Sequence, residues 1–167
     1  MTLETKYRGG FDTRYSKTAD LANPVQEVPF GSMLSMPTGT ASGKADLLFS
    51  DTRALAASTS EELDLAGGLT DVFGATLTFV KVKAIYLSAA SANGGNIQVG
   101  GAAVNGFLGP FANATDIINL AAGAYIELVN STSGWTVTAG SGDLLKIAND
   151  DSGAAGTYTI QIIGTSA

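Results

Sequence analysis

Side chains able to do acid–base, nucleophilic or metal chemistry are few in this sequence, and their spacing limits what they can do. Glu61 and Glu62 are neighbours; on a strand adjacent side chains point to opposite faces, so the two carboxyls do not form a dyad. Asp150 and Asp151 fall in Asn149-Asp150-Asp151-Ser152-Gly153, a run whose polar side chains bond their own backbone and favour turns. The same run offers oxygens to a calcium ion, with Asp64 or Asp71 joining, but it lacks EF-hand spacing. A turn is the reading the pattern favours. Gly94-Gly95 and Gly100-Gly101 flank a short apolar run with no Lys-Ser/Thr pair after them, so they read as tight turns and not as a phosphate loop. Histidine and cysteine are both absent. Their absence excludes Ser-His-Asp and Cys-His catalysis, ordinary zinc, haem and iron–sulfur ligation, and disulfides. No catalytic, cofactor-binding or metal-binding residue is assigned.

Aromatic residues offer contact chemistry instead. Trp135, the single tryptophan, alternates with Val137 and reads as a core or rim aromatic. Its functional alternative, shared with Tyr125, is stacking on a sugar ring beside nearby Asn and Asp. Tyr7, Phe11, Tyr15 and Phe30 lie among the charges of the first forty residues. That segment is too short to bury them locally, which favours a partner surface. Tyr7, Arg8, Phe11, Arg14, Tyr15 and Phe30 are the candidate protein-contact residues.

The elements that must position these groups are β-strands. The chain has 167 residues, long enough for one core, and 45% are hydrophobic. Only 14% are charged, against about 25% in a typical soluble domain. A surface of Ser, Thr, Gly, Ala and Asn loses little on close subunit contact, because little charge must be desolvated. The net charge is −6 and the pI about 4.4, a poor match to nucleic acid. No stretch has the length of a membrane span, and the charged start does not read as a secretory leader. Synthesis in a cytoplasm is the expectation.

The chain divides near residue 40. Residues 1–20 carry a net +1, leaving −7 on the remainder, and Pro24, Pro29 and Pro37 crowd the next stretch. Proline restricts itself and the residue before it, so residues 1–43 read as an extended arm without a core of its own. Residues 44–167 read as a β-sandwich domain. Thr76 to Ala89 is the strongest strand; its phase change places a bulge near Phe79-Val80 and turns Lys81 and Lys83 to solvent or a neighbour. Thr157 to Ile163 alternates cleanly, with Tyr158, Ile160 and Ile162 on one face. Ser50–Thr59 is the only helical candidate, on alanine content alone. About eight short strands separated by Gly, Asn and Asp predict an all-β fold, an antiparallel β-sandwich of jelly-roll type with an extended N-terminal arm.

Glu62 to Gly74, Phe79 to Tyr86, Val99-Gly100-Gly101-Ala102, Asp143 to Asn149 and Tyr158 to Gly164 together resemble small virion structural proteins of tailed bacteriophages, of the head decoration or cement type. The resemblance covers residues 45–164 and rests on strand patterns. It implies a β-sandwich that oligomerises as a trimer on the capsid lattice, with the major capsid protein as partner and no enzymatic activity. The expected function is therefore capsid decoration or cementing within the virion, with no cofactor, nucleic acid or membrane. The alternatives are a glycan-binding or host-adhesion module of a head or tail fibre, using Trp135 or Tyr125, and a head–tail connector or tail-tube subunit.

Overall fold

Strict alternation makes Gly156–Thr165 the centre of the fold: Tyr158, Ile160 and Ile162 are wholly buried while Gln161 between them is exposed. The structure is a computed structural model that describes residues 2–16 and 25–167; within the first two strands the side chains of Phe11, Asp12, Tyr15, Val28 and Phe30 lie outside the described residues. Thirteen strands follow one another among the described residues: β1 (Thr5–Ser16), β2 (Val25–Met36), β3 (Leu47–Leu55), β4 (Ser60–Asp64), β5 (Leu69–Thr70), β6 (Thr76–Leu77), β7 (Lys81–Ala89), β8 (Ile97–Gly100), β9 (Ile117–Leu120), β10 (Tyr125–Val129), β11 (Trp135–Thr136), β12 (Leu144–Asn149) and β13 (Gly156–Thr165). Ser50–Thr59 is not helical. It supplies most of β3 and the turn after it, because Phe49 and Leu55 bury themselves on a strand paired along its length with β13. Alanine content is a weak prior that such tertiary pairing overrides.

One sheet has the order β10-β7-β13-β3, with β11 also on β7; the other is β4-β12-β8-β9. All of these pairings are antiparallel. Leaving out the two-residue β11, the other eight strands of the two sheets pair first with eighth and second with seventh, which is the winding of a jelly roll. Side chains of the two inner faces form one core, including Leu87, Ile97, Leu145, Ile147 and Ile160 at 0% exposure. Each such side chain contributes about 1.5–3 kcal/mol by leaving water.

This winding places alternate connections at opposite ends. One end holds the short turns 56–59, 90–96, 121–124 and 150–155, tied to each other and to the strands beneath. Asn93 Nδ2 donates to Thr157 O at 2.9 Å while Thr157 N donates to Asn93 Oδ1 at 2.8 Å. Ser58 N donates to Asp151 O at 2.8 Å. The other end holds the longer connections 65–80, 101–116 and 130–143. There Val72, Phe73 and Val104 are 74%, 75% and 68% exposed.

Two sequence expectations need correction in β7. Thr76–Ala89 is not one strand. Thr76–Leu77 pairs with β5, and the chain then crosses to the other sheet, with Phe79 N bonded to Leu65 O and Val80 N to Thr165 O. The phase change at Phe79-Val80 marks that crossing. The irregularity lies further on, where Ile163 faces Ala84 and Gly164 faces Val82, leaving Lys83 as the extra residue. Lys83 is accordingly buried, at 1% exposure, and its ammonium donates to Thr132 O at 2.8 Å. Burial, with Lys81 nearby, holds its pKa below the usual lysine value. Gly164 is required here, since a β-carbon would overlap the Lys81 carbonyl and the Phe79 ring.

β1 and β2 form a hairpin with a register from Thr5↔Met36 to Ser16↔Val25, a separate two-stranded sheet. The segment expected as an extended arm is therefore extended and also paired with itself. Its pairing was hidden in the sequence because strand alternation records burial on one face, and among its described residues only the root, at Met36, is buried.

Candidate functional site

The hairpin lies across the outer face of the β10-β7-β13-β3 sheet, and residues of both line the space between them. Three rows cross that face: Val129, Ala84 and Ile163; then Glu127, Tyr86 and Gln161; then Tyr125, Ser88 and Thr159. The root of the hairpin, with Thr5, Leu34 and Met36, sits over the first two rows and borders an open pocket of about 250 Å³. Further out, Tyr7, Arg8, Gly9, Gly10 and Ser32 face Tyr125 and Glu127 across a cleft of about 380 Å³. Since Tyr125 begins its strand at the short-turn end, the part of the hairpin beyond Gly10 runs past the body. Six residues on each strand at about 3.3 Å per residue make that overhang about 20 Å.

Among the described residues, side-chain hydrogen bonds hold the hairpin at two places, one closing its base and one tying it to the sheet. At its root Leu3 N donates to Thr38 Oγ1 at 2.7 Å, and the same hydroxyl donates back to the Leu3 carbonyl. Midway, Tyr7 Oη donates to Glu127 Oε2 at 2.7 Å. That carboxylate raises the phenol pKa of Tyr7 above its usual value. The Tyr7 ring reaches Glu127 by lying over Gly9, where a β-carbon would overlap the phenol oxygen. Gly9 thus leaves room for the anchor. Lys6 pairs with Glu4 at 2.8 Å, which lowers the carboxyl and raises the ammonium pKa, but both groups are exposed. Arg14 pairs across the hairpin with Glu27 at 3.8 Å, again in the open. Exposed pairs of this kind contribute about 0–1 kcal/mol.

The sequence candidates distribute as follows. Tyr7 and Arg8 line the cleft. Arg14 is on the overhang, exposed. Phe11, Tyr15 and Phe30 have backbone positions on the overhang, and their side chains lie outside the described residues. Tyr125 is 60% exposed, with its ring 6.1 Å from that of Tyr86 and tilted 30°. Trp135 is elsewhere. It faces Val82 on β7 whereas Tyr125 faces Ser88, a separation of about 20 Å along the strand. Trp135 is half-buried and packs against the core, so the two aromatics do not form one platform. Glu127 and Tyr86 went unremarked in the sequence. The signal for Glu127 is the exposed alternation of Tyr125, Glu127 and Val129 on β10.

The carboxylates are engaged elsewhere. Glu61 Oε1 accepts from Tyr158 Oη at 2.8 Å and its Oε2 from Arg53 Nε at 2.8 Å; Arg53 also reaches Asp51 at 2.9 Å. Burial and then Glu61 push the Tyr158 phenol far above its usual range, and Glu61 first of all raises Arg53. This set clamps β3, β4 and β13 across the edge of the sandwich. Asp150 accepts from Asn96 N at 2.5 Å and Asn96 Nδ2 at 2.7 Å, and Asp151 accepts from Gly153 N at 2.8 Å. Asp71 accepts from Phe73 N and Ala75 N at 2.9 and 2.8 Å, and Asp64 from Ala66 N at 2.8 Å. Asp64 and Asp71 belong to the long-connection end and Asp150 and Asp151 to the other, so they do not share an ion. Among the described residues no three acidic side chains gather as metal ligands would. No known protein family, curated protein or solved structure matches the chain.

Proposed function

We propose that this chain is a non-enzymatic virion structural protein of the tailed-bacteriophage head, a decoration or cement protein that ties neighbouring capsid subunits through its sandwich and its hairpin arm. One observation supports the reading above others: a hairpin tied to the sheet at Tyr7–Glu127 carries the outer half of its two strands about 20 Å past the body. An isolated two-stranded hairpin is marginal in water, so an overhang of this length gains its stability from something it touches. The partners in this reading are the major capsid protein and further copies of this chain, as a trimer, on the virion. Each arm adds contact without enlarging the core, and tethering to the body raises the effective concentration of that second contact. Binding only to the assembled shell then stabilises it by mass action. The test is thermal and osmotic challenge of purified capsids with and without the chain. Earlier rupture of the depleted capsids is expected, and equal survival would refute cementing.

A second reading, glycan binding, draws on the cleft. Tyr125 presents an exposed ring beside Tyr86, with Glu127, Arg8 and Ser32 around it. An aromatic face with a few convergent polar groups is how sites of this size take a sugar. Glycan-array binding that vanishes in Tyr125→Ala while assembly persists would favour it over cementing.

A further inference from the structure

We infer that β1 pairs edge to edge with β1 of a second copy of this chain, antiparallel about Thr13, to make a four-stranded intermolecular sheet. This rests on the arm being the contact element and names what the arm touches. Among the described residues the β1–β2 sheet has no third strand, so both outer edges are unpaired. The two edges differ. β2 contains Pro29, opposite Asp12. Proline has no N–H, so it fits only where the amide faces away from the partner strand. The outer edge of β2 therefore lacks a donor in mid-strand, a common device against pairing. β1 contains no proline, and its outer edge is open.

Parity follows from the same residue. Pro29 and Asp12 are opposite each other without mutual hydrogen bonds, so Asp12, and with it Gly10, Arg14 and Ser16, direct their backbone N–H and C=O to the free edge. A two-fold pairing about Thr13 sets 12 against 14, 10 against 16, 11 against 15 and 13 against itself. Outward-facing residues then meet only outward-facing residues, as an antiparallel ladder requires. By residue type this register sets aspartate against arginine twice, phenylalanine against tyrosine twice and threonine against threonine, all favourable cross-strand combinations. Moving the axis by one residue either way sets Asp12 on Asp12 or Arg14 on Arg14, and like charges directly opposite destabilise a sheet. Of the registers centred on residues 12, 13 and 14, the one about Thr13 alone is complementary. Isologous contacts of this kind close on a two-fold axis, so they join neighbouring oligomers in pairs across a shell.

The chain has no cysteine, which makes single-cysteine probes clean. In Thr13→Cys the two Cα atoms would lie about 4.5 Å apart as a non-hydrogen-bonded pair, within disulfide reach. Ser16→Cys would face Gly10 of the second copy, leaving its cysteines about 20 Å apart. Under mild oxidation of the full chain, Thr13→Cys should give a covalent dimer at least tenfold faster than Ser16→Cys. Charge variants give a second readout by sedimentation. Asp12→Lys and Arg14→Glu should each lose self-association, and an equimolar mixture should regain it, because the mixed pair sets Lys against Glu and Arg against Asp. Equal cross-linking at 13 and 16, no cross-linking at 13, or no recovery on mixing would overturn the inference. Shell binding measured on the same variants keeps the two readings apart: pairing without shell binding refutes only the cement function, and shell binding without pairing refutes only this inference.

Discussion

β13 and β1 are both long antiparallel strands, of ten and twelve residues, and they are held in opposite ways. β13 lies between β7 and β3 and buries Tyr158, Ile160 and Ile162 completely. Among the described residues β1 has one partner, β2, and their hairpin is closed on itself at Leu3–Thr38 and fastened to the sheet at Tyr7–Glu127. Strand geometry is the same in both, but the source of stability is not. A jelly roll supplies its own core, whereas a projecting hairpin has ladder bonds that water competes for and little burial. The comparison teaches that the body is a platform and the arm is the part whose structure depends on its surroundings.

Ile160→Ala strikes the body where it is strongest. We expect a loss of about 2–5 kcal/mol from lost transfer energy and a cavity, measured as a lower urea midpoint with unchanged slope. Tyr158→Phe comes next. It leaves Glu61 Oε1 without its donor at 2.8 Å, and about 1–3 kcal/mol is expected, the range for a polar group stranded in a partly buried site. The alkaline limb distinguishes the two variants. Because the Tyr158 phenol is raised when folded, its contribution is complete below the unfolded value near pH 10 and fades as pH climbs through the folded value. Tyr158→Phe should flatten that limb, and Ile160→Ala should preserve it.

Lys83 works with the reverse sign. A lysine whose folded pKa is lowered binds fewer protons when folded than when unfolded. Stability therefore rises with pH between the folded value and the unfolded value near 10.4. Lys83→Met should abolish that rise, leaving neutral-pH stability unchanged within about 1 kcal/mol as apolar packing replaces a buried ammonium. The smallest global effect belongs to the arm. Tyr7→Phe removes one exposed hydrogen bond, and a shift below about 1 kcal/mol in the urea midpoint is expected. Amide exchange of β1 should nevertheless quicken in that variant. Gly9→Val should reproduce the change, since its side chain displaces the Tyr7 ring from Glu127.

Burial explains which of these features the sequence revealed. The alternation of Tyr158, Ile160 and Ile162 was legible because one face of β13 meets the core, and the same holds for Leu145 and Ile147 on β12. The two-sheet architecture followed from such runs and the turn residues between them. Lys83 was misread because a bulge shifts its phase, and a bulge depends on what Gly164 meets across the sheet. The hairpin pairing of the arm was invisible because the described residues of the two strands form no buried face beyond Met36. For the site, Tyr7, Arg8 and Tyr125 were legible by type, but not their meeting. Tyr7 and its partner Glu127 are 120 residues apart. Trp135 drew attention as a rare residue, and its packing against the core places it away from the cleft.

The central claim is that the arm becomes structured through contact while the body does not need it. Hydrogen exchange of backbone amides in the isolated protein and in particles that carry it measures this directly. The account predicts fast exchange at 11–16 and 25–30 in isolation, strong protection of those residues on the particle, and unchanged protection in β13 and β12. Equal exchange of the arm in both states, or new protection confined to the sandwich, would contradict it.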